Sequence, residues 1–326
     1  MFIPMRSMRQ RLRARLLTQP NSRKKLELCL MHAQRCEARL IYLENLIKNM
    51  CRVTAAPPAV GNVALAQMAS AAILAKFAQI MEKHQLPWWL DGGALIGHRR
   101  HGGFVPWDDD VDISILREHY EKLPRIFDEE FKDGEFTYRG GEIIQIYYKN
   151  TRIFLDVFPM DIGGTELPPE GAEKEKFIST LKEIQSHMKF DHKKWAQRQQ
   201  PVSNEYLQFC KEQRAARLVP NPISTGFIFF GVETGLKDRS LIPQEVIFPL
   251  KKEKFVGIEV YVPRCAERYL TIRYGDYNEW PRKFGGVHDS SYVKKMTWEE
   301  QEECREAIHR YLPQENIHSE TEMHTR

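Results

Sequence analysis

The sequence predicts an α+β protein preceded by an N-terminal helix that carries a heptad repeat. Three observations support this prediction. Short apolar segments typical of strands alternate with helical stretches after residue 62. Of the 326 residues, 42% are hydrophobic and 11% are aromatic, which is enough to form a core and excludes a disordered chain. Residues 26–50 repeat apolar side chains with the spacing of a coiled coil.

Charge is distributed unevenly along the chain. Residues 1–56 contain 12 Lys and Arg but 3 Asp and Glu, whereas the other 270 residues contain 36 and 41. We therefore predict a basic arm at 1–25, a heptad helix at 26–53 and a linker at 54–62, which is rich in Ala and Pro. Residues 63–326 are long enough for one large domain or two small ones.

The heptad repeat continues for four heptads. Its seam positions are all apolar or cysteine: Leu26, Cys29, Ala33, Cys36, Leu40, Leu43, Ile47 and Met50. Such a seam is typical of a coiled coil, or of a long helix packed on the body. If the seam forms a coiled coil, the chain forms a homo-oligomer through residues 26–50. Cys29 and Cys36 would then form interchain disulfides in an oxidising compartment.

Membrane and compartment signals are weak. Val63–Met81 is the nearest approach to a membrane span, but four polar residues interrupt it, and we predict a soluble, partly buried helix. The first 26 residues lack acids and are rich in Arg, as in a transit peptide or a solvated arm; a missing upstream signal anchor is a third interpretation. The six cysteines include no CxxC pair, which argues against a zinc ribbon or a disulfide scaffold.

A glycine turn follows the first predicted strand of the body. Val63–His84 is predicted to be a helix, Trp88–Leu90 a short strand, and Gly92 and Gly93 a turn before a second helical stretch. Glycines let backbone N–H groups approach phosphate oxygens, and a helix N-terminus favours negative charge. Gly92 and Gly93 are therefore candidates for phosphate binding, although tight turns also use glycine for steric reasons alone.

Four carboxylates lie within five positions: Asp108, Asp109, Asp110 and Asp112. In a strand, Asp108, Asp110 and Asp112 would share one face and Asp109 would take the other. The apolar flanking residues favour a buried strand over a solvated acidic loop. Carboxylates at such close range repel one another and favour a divalent cation that prefers hard oxygen ligands, Mg²⁺ or Mn²⁺.

A third acidic element is the apolar segment Arg152–Pro159, which carries Asp156 in its middle. A buried carboxylate needs a partner or a metal ion to offset its desolvation. A glycine turn, Asp-x-Asp on one strand and one Asp on a neighbouring strand form the layout of nucleotidyltransferase-type phosphoryl chemistry. Two metal ions held by three carboxylates can orient the attacking oxygen and stabilise the leaving phosphate. Asp110, Asp112 and Asp156 are thus the candidate catalytic residues.

Several blocks of the sequence together resemble one family. They are WWLDGGALIG at 88–97, GFVPWDDDVDI at 103–113, LDVFPMD at 155–161, FPLKKEKFVGIEV at 248–260 and YLTIRYGDYNEWP at 269–281. These blocks, in this order along the chain, resemble those of the LicD/fukutin family. That family includes bacterial phosphocholine transferases and animal ribitol-phosphate transferases. The resemblance implies a nucleotidyltransferase-like fold, with a mixed sheet flanked by helices. It also implies metal-dependent transfer of a phospho-alcohol from a CDP-linked donor.

The resemblance also implies roles for individual acids. Asp110 and Asp112 match the paired metal ligands, and Asp156 matches the carboxylate of the third strand. Asp108 matches a further acidic position that binds metal directly or through water. Asp161 and the Asp276 turn match family positions as well, the latter as a substrate contact or as a structural turn.

Two further pairs match the donor side of the family's site. Gly92 and Gly93 match the phosphate-binding turn. Arg100 and His101 match a basic pair, in which the guanidinium grips a donor phosphate with two hydrogen bonds. The alternative for this basic pair is a structural pairing with the acidic strand itself.

These matches predict a transferase that moves ribitol-phosphate, phosphocholine or a similar group to a glycan hydroxyl and releases CMP, with Mg²⁺ or Mn²⁺ as cofactor. The alternatives are an NTP-dependent nucleotidyltransferase that releases pyrophosphate and a non-catalytic scaffold homologue. The expected partners are a CDP-alcohol donor and a glycan or glycoconjugate acceptor. Nucleic acid is not expected, because the basic arm lacks interleaved aromatic residues. The resemblance suggests the Golgi or secretory pathway, although no signal or transmembrane segment is visible.

Within the predicted catalytic domain at 63–326, residues 165–245 match no specific block and are assigned to a family-variable acceptor region. Their charged runs are typical of solvated helical faces or of an acceptor-binding insertion. Trp195 and Tyr206 are candidates for stacking on sugar rings, with core packing as the alternative, and His192 is predicted to be a surface residue. The body has no counterpart of the family's cysteine-bearing zinc insert, which leaves the acceptor open.

Overall fold

A computed structural model describes residues 20–164, 171–187, 204–218, 226–234, 240–281 and 291–313. Contacts divide the chain into two compact units, Met1–Ala56 and Pro57–Arg326. The described part of the first unit consists of helix α1 (Pro20–Met50) and a 3₁₀ turn at Val53–Ala55. Most of the predicted basic arm lies outside the described residues, as do His192 and Trp195.

The second unit contains both helices and strands. Its described helices are α2 (Gly61–Lys83), α3 (Gly92–His101), α4 (Arg117–Tyr120), α5 (Leu123–Glu130), α6 (Ala172–Ser186), α7 (Asn204–Arg217), α8 (Gln244–Ile247), α9 (Ala266–Tyr274), α10 (Ser291–Lys294) and α11 (Trp298–Tyr311). Its described strands are β1 (Trp88–Leu90), β2 (Val111–Leu116), β3 (Phe136–Arg139), β4 (Ile144–Tyr148), β5 (Phe154–Gly163), β6 (Phe227–Phe230), β7 (Ile242–Pro243), β8 (Lys251–Phe255) and β9 (Ile258–Val262).

The strands form a mixed sheet and a separate hairpin. Within the described residues the sheet runs in the order β1-β2-β5-β4-β3, and β6 pairs with β5 and β7. The central strands β2 and β5 are parallel, and the other pairs in the sheet are antiparallel. β8 and β9 form the hairpin. A mixed sheet flanked by helices confirms the predicted α+β class.

Helix α2 lies at the centre of the main hydrophobic core. It has an alanine-rich buried surface that includes Ala66, Ala69, Ala71 and Ala72, and it packs against α11 and the sheet. Small side chains allow helices to approach closely, which explains the alanine content. By length and composition this helix is able to cross a membrane, but 61% of its apolar stretch is buried inside the protein. That burial is typical of a core helix, so its composition is weak evidence for a membrane span.

A second, smaller core cluster lies where α6 and α7 pack against β6. Ile184 of α6, Tyr206 and Cys210 of α7, and Phe227 and Phe229 of β6 are all buried in it. Tyr206 is only 8% exposed. Its ring therefore packs in the core, which was the alternative to stacking on a sugar ring.

Candidate active site

Three carboxylates meet where the two parallel strands begin. The register of β2 and β5 places Asp112 directly opposite Asp156, and Asp110 precedes β2 by one residue. One carboxylate oxygen of each residue lies within 4.8 Å of the others. Asp110 is 2% exposed and Asp156 is 7% exposed. Carboxylates buried this close together repel unless a cation lies between them, and their oxygens are the hard ligands that Mg²⁺ and Mn²⁺ prefer. The residues present therefore fit a divalent cation.

Asp108, Asp109 and Asp110 do not lie in the strand, contrary to the predicted alternation. β2 begins at Val111, and the three preceding acids lie in a loop. The side-chain amide of Gln67 on α2 holds this loop by donating to the carbonyls of Val105 (3.0 Å) and Asp108 (2.6 Å). Strand alternation therefore does not apply to the three acids. Oxygens of all three lie within 4.8 Å of one another.

The glycine turn lies directly against two of these carboxylates. A Cβ atom added to Gly92 would lie 1.9 Å from Oδ2 of Asp112, and one added to Gly93 would lie 1.7 Å from Oδ2 of Asp108. The backbone N–H of Gly93 donates to Oδ2 of Asp112 (3.2 Å). Both glycines are thus required for the carboxylates to approach the turn. Phosphate binding by this turn stays a prediction.

Asp91 anchors the turn, a role that the sequence reasoning missed. Its carboxylate is 1% exposed and accepts hydrogen bonds from the Gly92 N–H (2.7 Å), the Tyr269 hydroxyl (2.8 Å), Ser114 Oγ and the Arg273 guanidinium. Burial, followed by the nearby Asp91 charge, raises the pKa of Tyr269 well above its usual value, so its hydroxyl remains a donor. This network ties the turn to β2 and to α9. Asp91 and Arg273 are 182 residues apart in the chain, and no local pattern pairs them.

Asp156 is oriented by two polar residues of the neighbouring strand β4. Gln145 Nε2 donates to Oδ1 of Asp156 (2.8 Å), and the Tyr147 hydroxyl donates to Oε1 of Gln145 (2.7 Å). The strand register places Gln145 directly opposite Asp156. Sequence reasoning missed both residues, because uncharged polar residues in a strand give no chemical signal. The alternation of apolar and polar residues along β4 was the available clue.

The predicted basic pair lies beside the acidic loop. Arg100 donates to the carbonyl of Tyr277, and its guanidinium lies 5.7 Å from the centroid of the Trp107 ring. Burial lowers the pKa of Arg100, and the charge of Asp108 opposes this shift. The ring of His101 contacts Trp107 edge-on, with the centroids 6.2 Å apart. In the structure Arg100 thus contacts Tyr277 and Trp107, the residue that precedes the acidic loop, and both donor binding and a structural pairing with the acids stay predictions.

Two other matched acids have structural roles. Asp161 is 1% exposed and accepts two hydrogen bonds from Arg117 (2.9 and 3.1 Å), which also donates to Glu233 (2.5 Å). Asp276 is exposed, and its carboxylate caps a turn by accepting from the Asn278 N–H (2.9 Å). Neither residue belongs to the acidic clusters that the described residues form. For Asp276, this hydrogen bond fits the structural alternative, and a substrate contact stays a prediction.

An apolar cleft of about 760 Å³ lies away from these acids, between α2, β1 and the β8–β9 hairpin. Trp88, Phe248 and Tyr261 line it. Its walls contain none of the clustered aspartates, so its volume does not identify the site of phosphate chemistry.

Comparison with known proteins agrees with this geometry. The family profile described as "LicD/FKTN/FKRP, nucleotidyltransferase domain" matches residues 85–190. Lipopolysaccharide cholinephosphotransferase LicD of Haemophilus influenzae is 25% identical over 243 residues, which cover 64% of this chain and 88% of that protein. Ribitol 5-phosphate transferase FKRP of Mus musculus is 30% identical over 88 residues, 24% of this chain and 18% of that protein. The human protein of the same name is 46% identical over 39 residues, 12% of this chain and 8% of that protein.

The chain thus spans most of the bacterial relative but a small part of the mammalian ones. The profile match includes the glycine turn, the acidic loop and Asp156, and these are the residues that the structure brings together. Residues 85–190 therefore match the nucleotidyltransferase domain of the LicD/FKTN/FKRP family, whose members are phosphotransferases in the transferase class of enzymes.

Proposed function

We propose that the protein transfers a phospho-alcohol, either ribitol-phosphate, phosphocholine or a similar group, from a CDP-linked donor to a glycan hydroxyl, with release of CMP. The observation that carries the proposal is the cluster of Asp110, Asp112 and Asp156 oxygens within 4.8 Å, next to a turn that only glycine fits. The names of the relatives support the class of group, since one transfers cholinephosphate and another ribitol 5-phosphate.

The cation would be held by Asp110, Asp112 and Asp156, and Asp108 would be a further metal ligand of the site. Mg²⁺ or Mn²⁺ bound there would neutralise charge on the donor's phosphate oxygens. The chain's own residues keep the ligands in place. Gln145 fixes the orientation of Asp156, and the Gly93 N–H fixes that of Asp112.

The remaining roles concern the donor and the acceptor. Arg100 interacts electrostatically with Asp108, and its guanidinium would bind a phosphate oxygen of the donor. The acceptor hydroxyl attacks the phosphorus on the alcohol side in line with the departing CMP. A carboxylate oxygen of the cluster accepts the proton that this hydroxyl loses.

The same carboxylates would also serve an NTP-dependent nucleotidyltransferase, the class that the family description names. The two reactions differ in their products. Transfer of a phospho-alcohol from a CDP-linked donor releases CMP, whereas transfer of a nucleotide from NTP releases pyrophosphate. A scaffold without activity would release neither product.

A donor screen tests the proposal. The full chain is incubated with CDP-ribitol, CDP-choline or CDP-glycerol, with CTP as the competing donor, in the presence of a glycan or lipopolysaccharide acceptor and Mg²⁺. Each CDP-alcohol carries a label in its alcohol. We expect one of the CDP-alcohols to release CMP and to leave its labelled alcohol phosphate on the acceptor. Release of pyrophosphate from CTP, without CMP from any CDP-alcohol, would overturn the proposal in favour of nucleotidyl transfer.

A further inference from the structure

Asp109 is a buried carboxylate without a hydrogen-bond partner among the described residues. It is 1% exposed, and neither of its oxygens has a hydrogen-bond partner within the described part of the chain. An ionised carboxylate removed from water is strongly unfavourable unless it is paired or coordinates a metal ion. The family resemblance gives this residue no role, and the strand alternation predicted for it places it away from the other acids.

The structure places Asp109 in an acidic cluster instead. One oxygen of Asp109 lies within 4.8 Å of oxygens of both Asp108 and Asp110. Asp110 also belongs to the cluster with Asp112 and Asp156. The two sets of carboxylates therefore share one member, an arrangement that two-metal sites use for in-line displacement at phosphorus.

We propose that Asp108, Asp109 and Asp110 bind a second divalent cation, with Asp110 shared between the two ions. This inference rests on the proposed function, since it requires the first cation at Asp110, Asp112 and Asp156. It assigns Asp109 as a metal ligand and explains why its oxygens have no protein partner in the described residues.

Titration of Mn²⁺ into the metal-free full chain, without donor, tests the second site. Calorimetry should count two ions per chain, and electron paramagnetic resonance should show that they are magnetically coupled. Asp109→Asn, which keeps the size of the side chain, should bind one ion and lose the coupling. The matched control is Asp133→Asn, because Asp133 is an exposed turn residue that accepts from the Glu135 N–H. This control should keep both ions.

The outcomes separate this inference from the proposed function. One ion in both the wild type and Asp109→Asn, with the ion lost in Asp156→Asn, would overturn the second site and leave the first. No ion in the wild type would overturn both. Thermal unfolding in EDTA gives an independent check: Asp109→Asn should be at least as stable as the wild type, because it removes an unbalanced buried charge. A less stable variant would show that the protein itself balances Asp109, and would overturn the inference.

A separate observation concerns helix α1, whose heptad seam is exposed from Cys29 to Met50. Leu40, Leu43, Ile47 and Met50 are 61%, 50%, 47% and 73% exposed, and Cys29 and Cys36 are exposed as well. Exposed apolar side chains on a regular seam are unfavourable in water and indicate an interaction surface. The heptad spacing fits another helix with the same spacing.

The charges that flank the seam select a second copy of this chain in parallel register. Arg39 occupies a g position and Glu44 the e position of the next heptad, and His32 and Glu37 repeat this relation one heptad earlier. In a parallel, in-register pair each g residue faces the following e residue of the other helix, so Arg39 would meet Glu44. An antiparallel pair would place the glutamates of the two e positions along the same edge. We infer that α1 forms a parallel homodimeric coiled coil.

Light scattering on the full chain tests the dimer. Leu40→Glu combined with Leu43→Glu should convert it to a monomer, because both charges lie in the seam. The control is Ile41→Glu combined with Tyr42→Glu, which adds the same charge at residues of similar exposure (52% and 66%) outside the seam. The control should remain a dimer. A monomeric wild type, or equal loss in both variants, would overturn the inference.

Disulfide trapping tests the register. In a chain with Cys36→Ser and Cys51→Ser, Cys29 should face its copy and form an interchain disulfide when oxidised glutathione is added. The two thiols lose two protons and two electrons to glutathione disulfide, which becomes two molecules of glutathione. We expect a dimer on a non-reducing gel that disappears when Cys29→Ser is added. A light-scattering dimer that does not cross-link would overturn the parallel register.

Discussion

At the scale of single residues, the Asp91 carboxylate joins three separate parts of the chain, which are the glycine turn, β2 and α9. Its buried carboxylate faces the Arg273 guanidinium, whose side chain is 6% exposed, and accepts a hydrogen bond from the Tyr269 hydroxyl. A buried ion pair is costly to break, because the remaining charge loses its counter-ion. Asp91 is therefore a positioning residue, which holds the glycine turn beside the acidic loop.

Replacing this carboxylate by an amide of the same shape is a direct test. We expect Asp91→Asn to lower the free energy of unfolding by about 3 kcal/mol, because Arg273 is left charged and buried. Urea unfolding measures this change. Asp276→Asn, in an exposed turn, is expected to change the free energy by less than about 0.5 kcal/mol. Equal effects of the two substitutions would show that the Asp91–Arg273 pair contributes no more to the free energy of unfolding than an exposed turn does.

The glycine turn offers a second residue-scale prediction. Gly92 has φ +51°, and a Cβ atom there would collide with Oδ2 of Asp112. Gly102 has φ +71°, with nothing within 4 Å of its Cβ position. Gly92→Ala and Gly102→Ala thus share the backbone strain and differ in the contact. We expect Gly92→Ala to lower metal-dependent CMP release by at least about 100-fold, since displaced catalytic groups cost rates of that order. Gly102→Ala should retain most of the activity, and similar losses in both would assign the effect to backbone strain alone.

The clustered aspartates could be predicted from the sequence, but the residues that hold the site in place could not. Asp110, Asp112 and Asp156 stood out in the sequence because several carboxylates in apolar segments are unfavourable without a purpose. Gln145, Tyr147 and Arg273 carry no such signal. Their contacts depend on strand register and on pairing across the chain, which no local pattern contains.

At the scale of elements, the helix and strand next to the glycine turn were predictable and the start of the acidic strand was not. Apolar content located Gly61–Lys83 and Trp88–Leu90 to within about two residues. The predicted strand through Asp108 fails because side-chain bonds from Gln67 hold that segment as a loop. Gln67 is 41 residues from Asp108, so the cause is a tertiary contact.

Helix α11 provides an element-scale prediction on pH. Thr297 and Glu300 form a capping box at its N-terminus, and Arg152 donates to both oxygens of Glu300 (2.6 and 2.7 Å). The hydrogen bond from Arg152 lowers the pKa of Glu300 below its usual value of 4.5, although burial opposes the shift. Because the folded pKa is the lower one, this stabilisation is complete above the usual pKa and is lost as the pH falls through the lowered value.

We therefore expect Glu300→Gln to be less stable than the wild type at neutral pH. The difference in the free energy of unfolding should shrink as the pH falls below about 4.5, because the wild-type carboxylate is then protonated as well. Chemical denaturation across this pH range measures it. A difference that stays constant with pH would show that the ionised pair with Arg152 contributes nothing.

At the scale of the whole molecule, charge and structure divide at nearly the same place. The basic excess lies in residues 1–56, and contacts separate Met1–Ala56 from Pro57–Arg326. The aspartate clusters lie in the second unit, where bound cations would offset part of its acidic excess. The near-neutral total charge of +4 therefore averages two parts with different chemistry.

This division predicts that assembly and catalysis separate. We expect a protein of residues 57–326 to retain CMP release and metal binding, because the glycine turn and both acidic clusters lie within it. It should elute as a monomer if α1 forms the dimer. Light scattering together with the CMP assay checks both expectations. Loss of activity in a folded, metal-binding 57–326 protein would show that the first unit contributes to the site.

The central claim is that the clustered aspartates hold a cation for phosphoryl transfer, and one comparison tests it most directly. CMP release from the preferred CDP-alcohol is measured against Mg²⁺ concentration for the wild type, Asp110→Asn and the control Asp133→Asn. We predict that release requires Mg²⁺ in the wild type and the control, and that Asp110→Asn loses at least about 100-fold because a shared ligand is gone. Full Mg²⁺-dependent CMP release by a folded Asp110→Asn protein would contradict the account.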